Sequence, residues 1–278
     1  MLLVIALYIY TGGTASAEDL FNSARDLAFL VPAILLSLTI HEFAHALVAH
    51  SLGDDTAKAQ GRLTLNPIAH LDPLGTFMLI FTLLAHFGLG WAKPVPVNPR
   101  NLRPDPRIGM GVVAIAGPIS NILLAFITIR LLILLGIPLS LRGGFLMAPE
   151  PYTPFAEFAQ INVFLAVFNL IPIPPLDGSR VLGAIVPYPI ARGIYELESI
   201  GPMLLMMLVF FGGGGGIGTI LLLVVMFMFL SNSARSGQLS PVALGIVGVF
   251  VVLLVFGHFS LGSLIAFASR PLVIALAS

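Results

Sequence analysis

The stretch His41-Glu42-Phe43-Ala44-His45 lies inside an apolar run that covers residues 28–52 of the chain. In a helix, His41 and His45 lie on one face and one turn apart, because side chains at positions i and i+4 stack along the axis. Two imidazoles at this spacing can bind one zinc ion, and Glu42 lies beside them as a general base that takes a proton from water. The spacing therefore predicts a zinc site on this helix.

The residues around the motif predict that its helix crosses a membrane. Most residues between positions 30 and 40 are apolar, and residues 46–49 are apolar as well. A charged side chain at the centre of a spanning helix costs about 2.5–3.5 kcal/mol, so three ionisable groups there require a reason such as a metal ion. The alternative interpretation is a chance match to the motif in an ordinary helical core.

The composition supports a membrane protein. The chain has 278 residues, of which 58% are hydrophobic and only 9% are charged, whereas about 25% of the residues of a soluble domain are charged. Basic and acidic residues number 13 each, so the net charge of zero gives no indication of a nucleic-acid partner. The chain has no cysteine, so a zinc site must use histidine, aspartate or glutamate, and disulfides are excluded.

The apolar runs predict an all-α polytopic membrane protein with three parts. Residues 1–27 form an N-terminal segment that is signal-like or interfacial, or is the end of a longer helix. Residues 28–187 form the core, and residues 188–278 form additional C-terminal transmembrane helices. Prolines interrupt the last span of the core. The core spans are expected at residues 28–52, 108–136 and 155–187.

The charged loops predict the orientation. Residues 53–72 and 91–107, here called the basic loops, carry two and four Lys or Arg residues. The positive-inside rule, which counts these residues and not the net charge, places both loops in the cytoplasm. A segment that joins two cytoplasmic loops cannot cross, so the apolar residues 74–89 are expected to form a re-entrant segment. Residues 56–65 mix polar and apolar side chains, which favours a short β-hairpin-like edge at the membrane surface. The motif then lies toward the cytoplasmic side of a multi-pass protein of the cell membrane.

A catalytic zinc ion usually has three protein ligands and one open position. Asp177 is the best candidate for the third ligand, because it follows a proline-interrupted apolar run and precedes Gly178, which permits close backbone approach. The alternative is that Asp177 caps a helix that starts at Gly178. The two roles are compatible, and position alone does not decide between them.

Three sequence motifs follow one another along the chain. They are His41-Glu42-Phe43-Ala44-His45, Gly117-Pro118-Ile119-Ser120-Asn121 and the run from Asn169 to Gly178. Together they resemble the site-2 protease family of intramembrane zinc metalloproteases, in a minimal form without the PDZ or CBS domains of other members. The resemblance implies that Asp177 is the third zinc ligand, and that Asn121 and Asn169 line the site and support or bind the substrate. The alternative role of both asparagines is hydrogen bonding between helices.

The resemblance also implies a three-helix catalytic core with a broken third helix and one zinc ion per chain. It implies hydrolysis of peptide bonds within or near transmembrane segments, with Glu42 as the general base, as in regulated intramembrane proteolysis. The partners are then a transmembrane protein substrate and the lipid bilayer. The alternative functions are a membrane ion or metal transporter that uses the same His, Glu and Asp cluster, and a catalytically silent homologue. The sequence indicates neither the substrate nor the oligomeric state.

Overall fold

Helices make up most of the computed structural model, which describes residues 17–73, 75, 77, 93–142, 145–199, 201, 240–243, 245 and 270–277. The prediction of a mostly helical protein is confirmed for this part of the chain. The N-terminal residues 1–16, nearly all of the expected re-entrant segment and most of the expected C-terminal spans lie outside the described residues.

The helices and strands follow a simple order along the chain. The α-helices are α1 (Ala17–Ser51), α2 (Thr56–Ala59), α3 (Pro67–His70), α4 (Pro106–Leu134), α5 (Thr153–Asn169), α6 (Asp177–Ile185) and α7 (Tyr188–Glu196). Short 3₁₀ turns cover Pro99–Asn101 and Leu197–Ser199. Between α4 and α5, strands β1 (Ser140–Arg142) and β2 (Phe145–Met147) pair antiparallel.

Two of the described helices are long and apolar enough to cross a membrane. They are the 24 residues Ala28–Ser51 of α1 and the 29 residues Pro106–Leu134 of α4. Both helices carry large apolar side chains that no other described part of the protein covers, as lipid-facing helices do. These exposed side chains include Phe29, Leu36, Leu47, Ile119, Leu123, Phe126 and Leu131.

Small side chains allow the helices of the core to pack closely, as they do in membrane bundles. The contact of α1 with α4 and its adjoining loop includes Ala49 and Val113, which are almost fully buried. The contact of α4 with α5 contains Ala125 and Ala159, both fully buried. Close packing of α4 against its neighbours brings three helices of the chain to one polar site.

The helical structure is interrupted between α5 and α6, where the sequence contains three prolines. Helix α5 ends at Asn169, and the next helix begins only at Asp177. Proline has no backbone N–H and clashes with the preceding turn, so the intervening residues cannot continue the helix. Gly178 then lies against the carbonyl of Leu170, where an added Cβ would be only 2.2 Å from the carbonyl oxygen. This close approach turns Asp177 back toward the core.

The β-hairpin-like edge expected at residues 56–65 is wrong. Residues 56–59 form helix α2, and a turn with Gly61 in a left-handed conformation (φ 68°) follows. The local reason is Asp54, whose carboxylate accepts hydrogen bonds from the backbone N–H and the hydroxyl of Thr56. The N–H of Arg62 then donates to the carbonyl of Ala57, which closes a turn instead of extending a strand. The two strands of the described chain lie at β1 and β2.

Candidate metal centre

Three side chains from α1 and α6 meet in the core. The Nε2 atoms of His41 and His45 lie 3.0 Å apart, as expected for two histidines one turn apart on one helix. The Oδ2 atom of Asp177 lies 3.1 Å from Nε2 of His41 and 3.3 Å from Nε2 of His45. Each residue therefore offers one ligand atom to a common point, in an arrangement that can hold a metal ion.

The spacing of these atoms fits zinc. Ligand atoms about 2.0–2.1 Å from a tetrahedral zinc ion lie about 3.3 Å from one another, close to the three distances found here. Two neutral imidazoles and one carboxylate are a common donor set for catalytic zinc, and they leave a fourth position open. His41 and His45 are 4% and 8% exposed, so water reaches this set from few directions.

Gly117 of α4 lies directly against the two imidazoles. A Cβ atom at this position would be 2.5 Å from Nε2 of His41 and equally close to Nε2 of His45. Carbon atoms do not approach nitrogen this closely without a shift of one of them. The absence of a side chain at Gly117 therefore leaves the space in which the ligand atoms converge.

The other nitrogen of each imidazole has a partner on α4. Nδ1 of His45 donates to the carbonyl of Val113 at 2.7 Å, and Nδ1 of His41 lies 2.6 Å from Oδ1 of Asn121. A histidine that donates from Nδ1 keeps the lone pair of Nε2 for a metal ion, and such partners fix the orientation of the ring. Helix α4 thus aims both rings at Asp177.

Glu42, next to His41 on the same helix, contacts the loop before α4. Its Oε2 atom accepts a hydrogen bond of 2.9 Å from the backbone N–H of Val95. The segment around Val95 is held by the guanidinium of Arg62, which donates to the carbonyls of Ala69, Lys93 and Pro94. Arg62 is only 7% exposed, so this anchor is largely shielded from water.

Asp54 anchors the far end of the same segment. Its carboxylate accepts hydrogen bonds from the N–H of Asn98 at 2.7 Å and from the side-chain amide of Asn101 at 2.9 Å. Burial raises the pKa of Asp54, but the hydrogen bonds from Thr56, Asn101 and Asn98 together outweigh burial and hold the pKa below its ordinary value. The residues from Lys93 to Asn98 are therefore fixed at both ends by buried charged groups.

The two asparagines that the sequence singles out occupy different places. Asn121 is fully buried and reaches His41, so it lies beside the three ligand atoms. Asn169 is partly buried at the end of α5, and its amide donates to the carbonyl of Leu165 in its own helix. The described contacts of Asn169 thus include no atom of the His41, His45 and Asp177 set.

Two residues near the site did not stand out in the sequence. Asn162 of α5 is fully buried and accepts a hydrogen bond of 2.8 Å from the amide of Asn121. Its signal was an amide within an apolar run, where polar groups mark functional sites in membrane proteins. The N–H of Val95 beside Glu42 could not be found from the sequence, because a backbone group carries no residue signal.

Comparisons with known proteins agree with this geometry. The model of peptidase family M50 matches residues 135–211. YwhC of Bacillus subtilis, named as a candidate zinc metalloprotease, is 44% identical over 176 residues, which are 63% of this chain and 77% of that protein. Rip2 of Mycolicibacterium smegmatis, named in the same way, is 30% identical over 67% of this chain and 69% of its own length.

A third relative comes from an archaeon. MJ0611 of Methanocaldococcus jannaschii, also named as a candidate zinc metalloprotease, is 31% identical over 182 residues, which are 64% of this chain and 81% of its own length. No solved structure matches the chain. The resemblance to site-2 proteases and the expected zinc cofactor are thereby confirmed. The chain belongs to peptidase family M50, the site-2 protease family, and is a zinc metalloendopeptidase.

Proposed function

We propose that this zinc metalloendopeptidase hydrolyses peptide bonds within or near transmembrane segments of membrane proteins, as in regulated intramembrane proteolysis. The observation that carries the proposal is the convergence of His41, His45 and Asp177 beside Glu42. Two of these residues and Glu42 lie on a helix that is long and apolar enough to cross a membrane. A cleavage site at this depth would meet a substrate inside the lipid bilayer.

The proposed metal ligands are Nε2 of His41, Nε2 of His45 and Oδ2 of Asp177, with one zinc ion per chain. Zinc in such a site supplies a Lewis acid that polarises a carbonyl group and activates water. Glu42 acts as the general base, which takes a proton from the attacking water and delivers it to the leaving amine. The hydrogen bond from Val95 supports this role, because it holds one carboxylate oxygen and leaves the other to receive the proton.

The two asparagines take supporting roles in this proposal. Asn121 supports the site through His41, consistent with the 2.6 Å distance between Oδ1 and the Nδ1 atom of the ring. Asn169 remains a candidate for contact with the substrate backbone, since it lies where α5 ends before the proline-rich break. The substrate helix must unwind locally before cleavage, because the backbone groups of a helix are already paired.

The proposed topology is a multi-pass protein of the cell membrane with its active site toward the cytoplasm. The basic loops on either side of residues 74–89 pack against each other: the N–H of Lys93 donates to the carbonyl of His70 at 2.8 Å. Loops in contact lie on one side of the membrane, which supports a re-entrant path for the segment between them. The positive-inside rule assigns that side to the cytoplasm.

The proposed organisation keeps three parts. Residues 1–27 form the signal-like or interfacial segment, residues 28–187 form the catalytic core of three helices with a broken third helix, and residues 188–278 add C-terminal transmembrane helices. The break between α5 and α6 supports the second part, because it delivers Asp177 to the histidines of α1. The partners are transmembrane protein substrates within the bilayer.

The zinc content of purified variants tests the proposed ligand set. Wild type should hold about one zinc ion per chain, and His45→Ala and Asp177→Asn should lose it because each removes one of three ligands. Glu42→Gln is the matched control, since it lies between the histidines but should keep the metal and lose cleavage. Full zinc content in Asp177→Asn would contradict the ligand assignment. Metal flux through vesicles without any cleavage by wild type would favour the transporter alternative.

A further inference from the structure

Three fully buried polar side chains form a line behind His41. They are Asn121 of α4, Asn162 of α5 and Ser37 of α1, each with 0% of its surface exposed. Polar groups at membrane depth are rare, and they serve either as contacts between helices or in a functional site. The direction of the hydrogen bonds along this line distinguishes the two roles.

Each member of the line contacts the next at hydrogen-bond distance. Nδ1 of His41 lies 2.6 Å from Oδ1 of Asn121, whose Nδ2 donates to Oδ1 of Asn162 at 2.8 Å. Nδ2 of Asn162 donates to Oγ of Ser37 at 2.9 Å, and Oγ of Ser37 donates to the carbonyl of Ala33 at 2.8 Å. The line thus runs from the imidazole to a backbone carbonyl.

The backbone carbonyls at its far end determine the direction of every bond. The nitrogen and oxygen of an amide side chain look alike, so their positions are assigned from their partners. The carbonyl of Ala33 can only accept, so the single hydroxyl proton of Ser37 is used there and Ser37 must accept from Asn162. The carbonyl of Phe158 also accepts from Nδ2 of Asn162, at 2.9 Å. Two independent acceptors therefore orient the Asn162 amide in the same way.

The orientation of the Asn162 amide determines that of the Asn121 amide, which in turn determines which nitrogen of His41 donates. With Nδ2 of Asn162 turned to its acceptors, Oδ1 faces Asn121, and Asn121 must present Nδ2 to it. Oδ1 of Asn121 is left facing the imidazole, so Nδ1 of His41 is the donor and the lone pair of Nε2 faces Asp177. The line therefore specifies which nitrogen of His41 is turned to the metal position.

We propose that Asn162 and Ser37 are positioning residues of the metal centre, which act on His41 through the amide of Asn121. The inference rests on the proposed function, in which His41 is a zinc ligand. Loss of a hydrogen-bond partner behind a metal-binding histidine weakens metal binding about 10- to 100-fold. Residues that only join helices would change the stability of the protein and leave the affinity for zinc unchanged.

The apparent zinc Kd, measured by competition with a chelator on the purified full chain in detergent, tests this assignment. Asn162→Leu removes, at similar volume, the nearer of two acceptors of the Asn121 amide, since Oδ1 of Asn162 lies at 2.8 Å and the backbone carbonyl of Ser37 at 3.4 Å. It should weaken zinc binding about 10-fold. Ser37→Ala should have a smaller effect in the same direction, because the carbonyl of Phe158 still orients Asn162. Thr39→Val is the matched control: its buried hydroxyl donates to the carbonyl of Leu35 in the same helix, outside the line. Thr39→Val should bind zinc like wild type.

A double variant separates positioning from simple packing. If Asn162 acts through Asn121, the variant with both Asn121→Leu and Asn162→Leu should bind zinc no more weakly than Asn121→Leu alone. The visible spectrum of bound cobalt, used as a substitute for zinc, should change in Asn162→Leu and in Ser37→Ala, but not in Thr39→Val. Cobalt reports the ligand geometry directly and does not depend on catalysis.

Each remaining outcome decides the question. An unchanged zinc Kd in Asn162→Leu, or additive losses in the double variant, would overturn the assignment while the proposed function stands. If Asn162→Leu does not fold, Ser37→Ala decides alone, and an unchanged Kd and cobalt spectrum there would overturn the assignment. Absence of zinc binding by wild type would overturn the proposed function, and the positioning role with it.

Discussion

At the level of single residues, Gly117 determines whether the two histidines can converge. The Nε2 atoms of His41 and His45 occupy the space that a side chain at this position would need. The proposed ligand pair on α1 therefore depends on a residue of α4 that has no functional group. An alanine there must displace either the rings or the helix.

We expect Gly117→Ala to weaken zinc binding at least about 10-fold, because an added Cβ at 2.5 Å from both Nε2 atoms moves the ligand atoms. Gly109→Ala, eight residues earlier on α4, is the control. Its Cβ would meet the side chain of Leu102 at 2.8 Å, so it should lower the melting temperature but leave the zinc Kd unchanged. Wild-type affinity in Gly117→Ala would show that the site is formed differently.

The site residues differ in how far the sequence could predict them. His41 and His45 follow from helical spacing alone, because positions i and i+4 always share a face. Asp177 is 132 residues after His45 in the numbering; its place after the prolines made it the best candidate, but only the family resemblance decided between a ligand and a helix cap. Asn162 was missed, because its contact with Asn121 depends on how α5 packs against α4, which no local pattern specifies.

At the level of elements, the segment from Lys93 to Asn98 of the second basic loop contacts both Glu42 and residues of the first basic loop. Arg62 holds its start through two backbone carbonyls, and Asp54 holds its end through the N–H of Asn98. Both anchors are buried, so their hydrogen bonds are stronger than they would be in water. The position of Glu42, the proposed general base, therefore depends on Arg62 and Asp54, which lie 31 to 44 residues before the segment residues that they contact.

We expect Arg62→Gln to lower the free energy of unfolding by about 2 kcal/mol, because the bonds of a buried charged group to carbonyls are lost. It should also lower kcat while the zinc content stays at the wild-type level, since the segment near Glu42 loosens and the ligands do not. Arg100→Gln, an exposed arginine in the neighbouring 3₁₀ turn, is the control and should resemble wild type. Loss of zinc in Arg62→Gln would contradict this separation.

The lowered pKa of Asp54 predicts a dependence of stability on pH. A carboxyl group whose pKa is lower in the folded state stabilises the fold above its unfolded pKa, and loses this effect as pH falls through the folded pKa. Asp54→Asn should therefore be less stable than its parent at pH 7, and the difference should shrink below about pH 4. Thermal unfolding in an Asp177→Asn background measures this without a contribution from metal release. A difference that is constant between pH 7 and pH 3 would contradict the prediction.

Local sequence predicted some elements better than others. The end of α5 before three prolines could be predicted, because proline excludes a continuous helix whatever its surroundings. The edge at residues 56–65 was predicted wrongly, since a mixture of polar and apolar side chains does not reveal that the carboxylate of Asp54 accepts hydrogen bonds from Thr56. A single buried carboxylate thus favoured a helical turn over a strand.

At the level of the whole molecule, the contacts between the two basic loops place one end of α1 and the start of α4 together. Arg107, at the start of α4, also donates to the carbonyls of Gly183 and Val186 at the end of α6. The strands β1 and β2 follow the other end of α4. This arrangement predicts two faces, with the basic loops on one side of the membrane and the strands on the other.

The natural absence of cysteine makes this topology directly measurable. Single cysteines in place of three exposed residues, Gln60, Arg100 and Arg142, can be labelled in intact cells with a reagent that does not cross membranes. We expect Arg142→Cys to react from outside in intact cells, and Gln60→Cys and Arg100→Cys to react only after the cells are permeabilised. Labelling of Gln60→Cys and Arg100→Cys from opposite sides would exclude the re-entrant path between them.

Cleavage of single-span model substrates in lipid vesicles tests the central claim most directly. The zinc-loaded chain should yield two products, and their masses should place the cut within or next to the apolar segment of the substrate. Glu42→Gln should retain zinc and yield no product. Cuts confined to the soluble part of the substrates, or equal cleavage by Glu42→Gln, would contradict intramembrane proteolysis at this site.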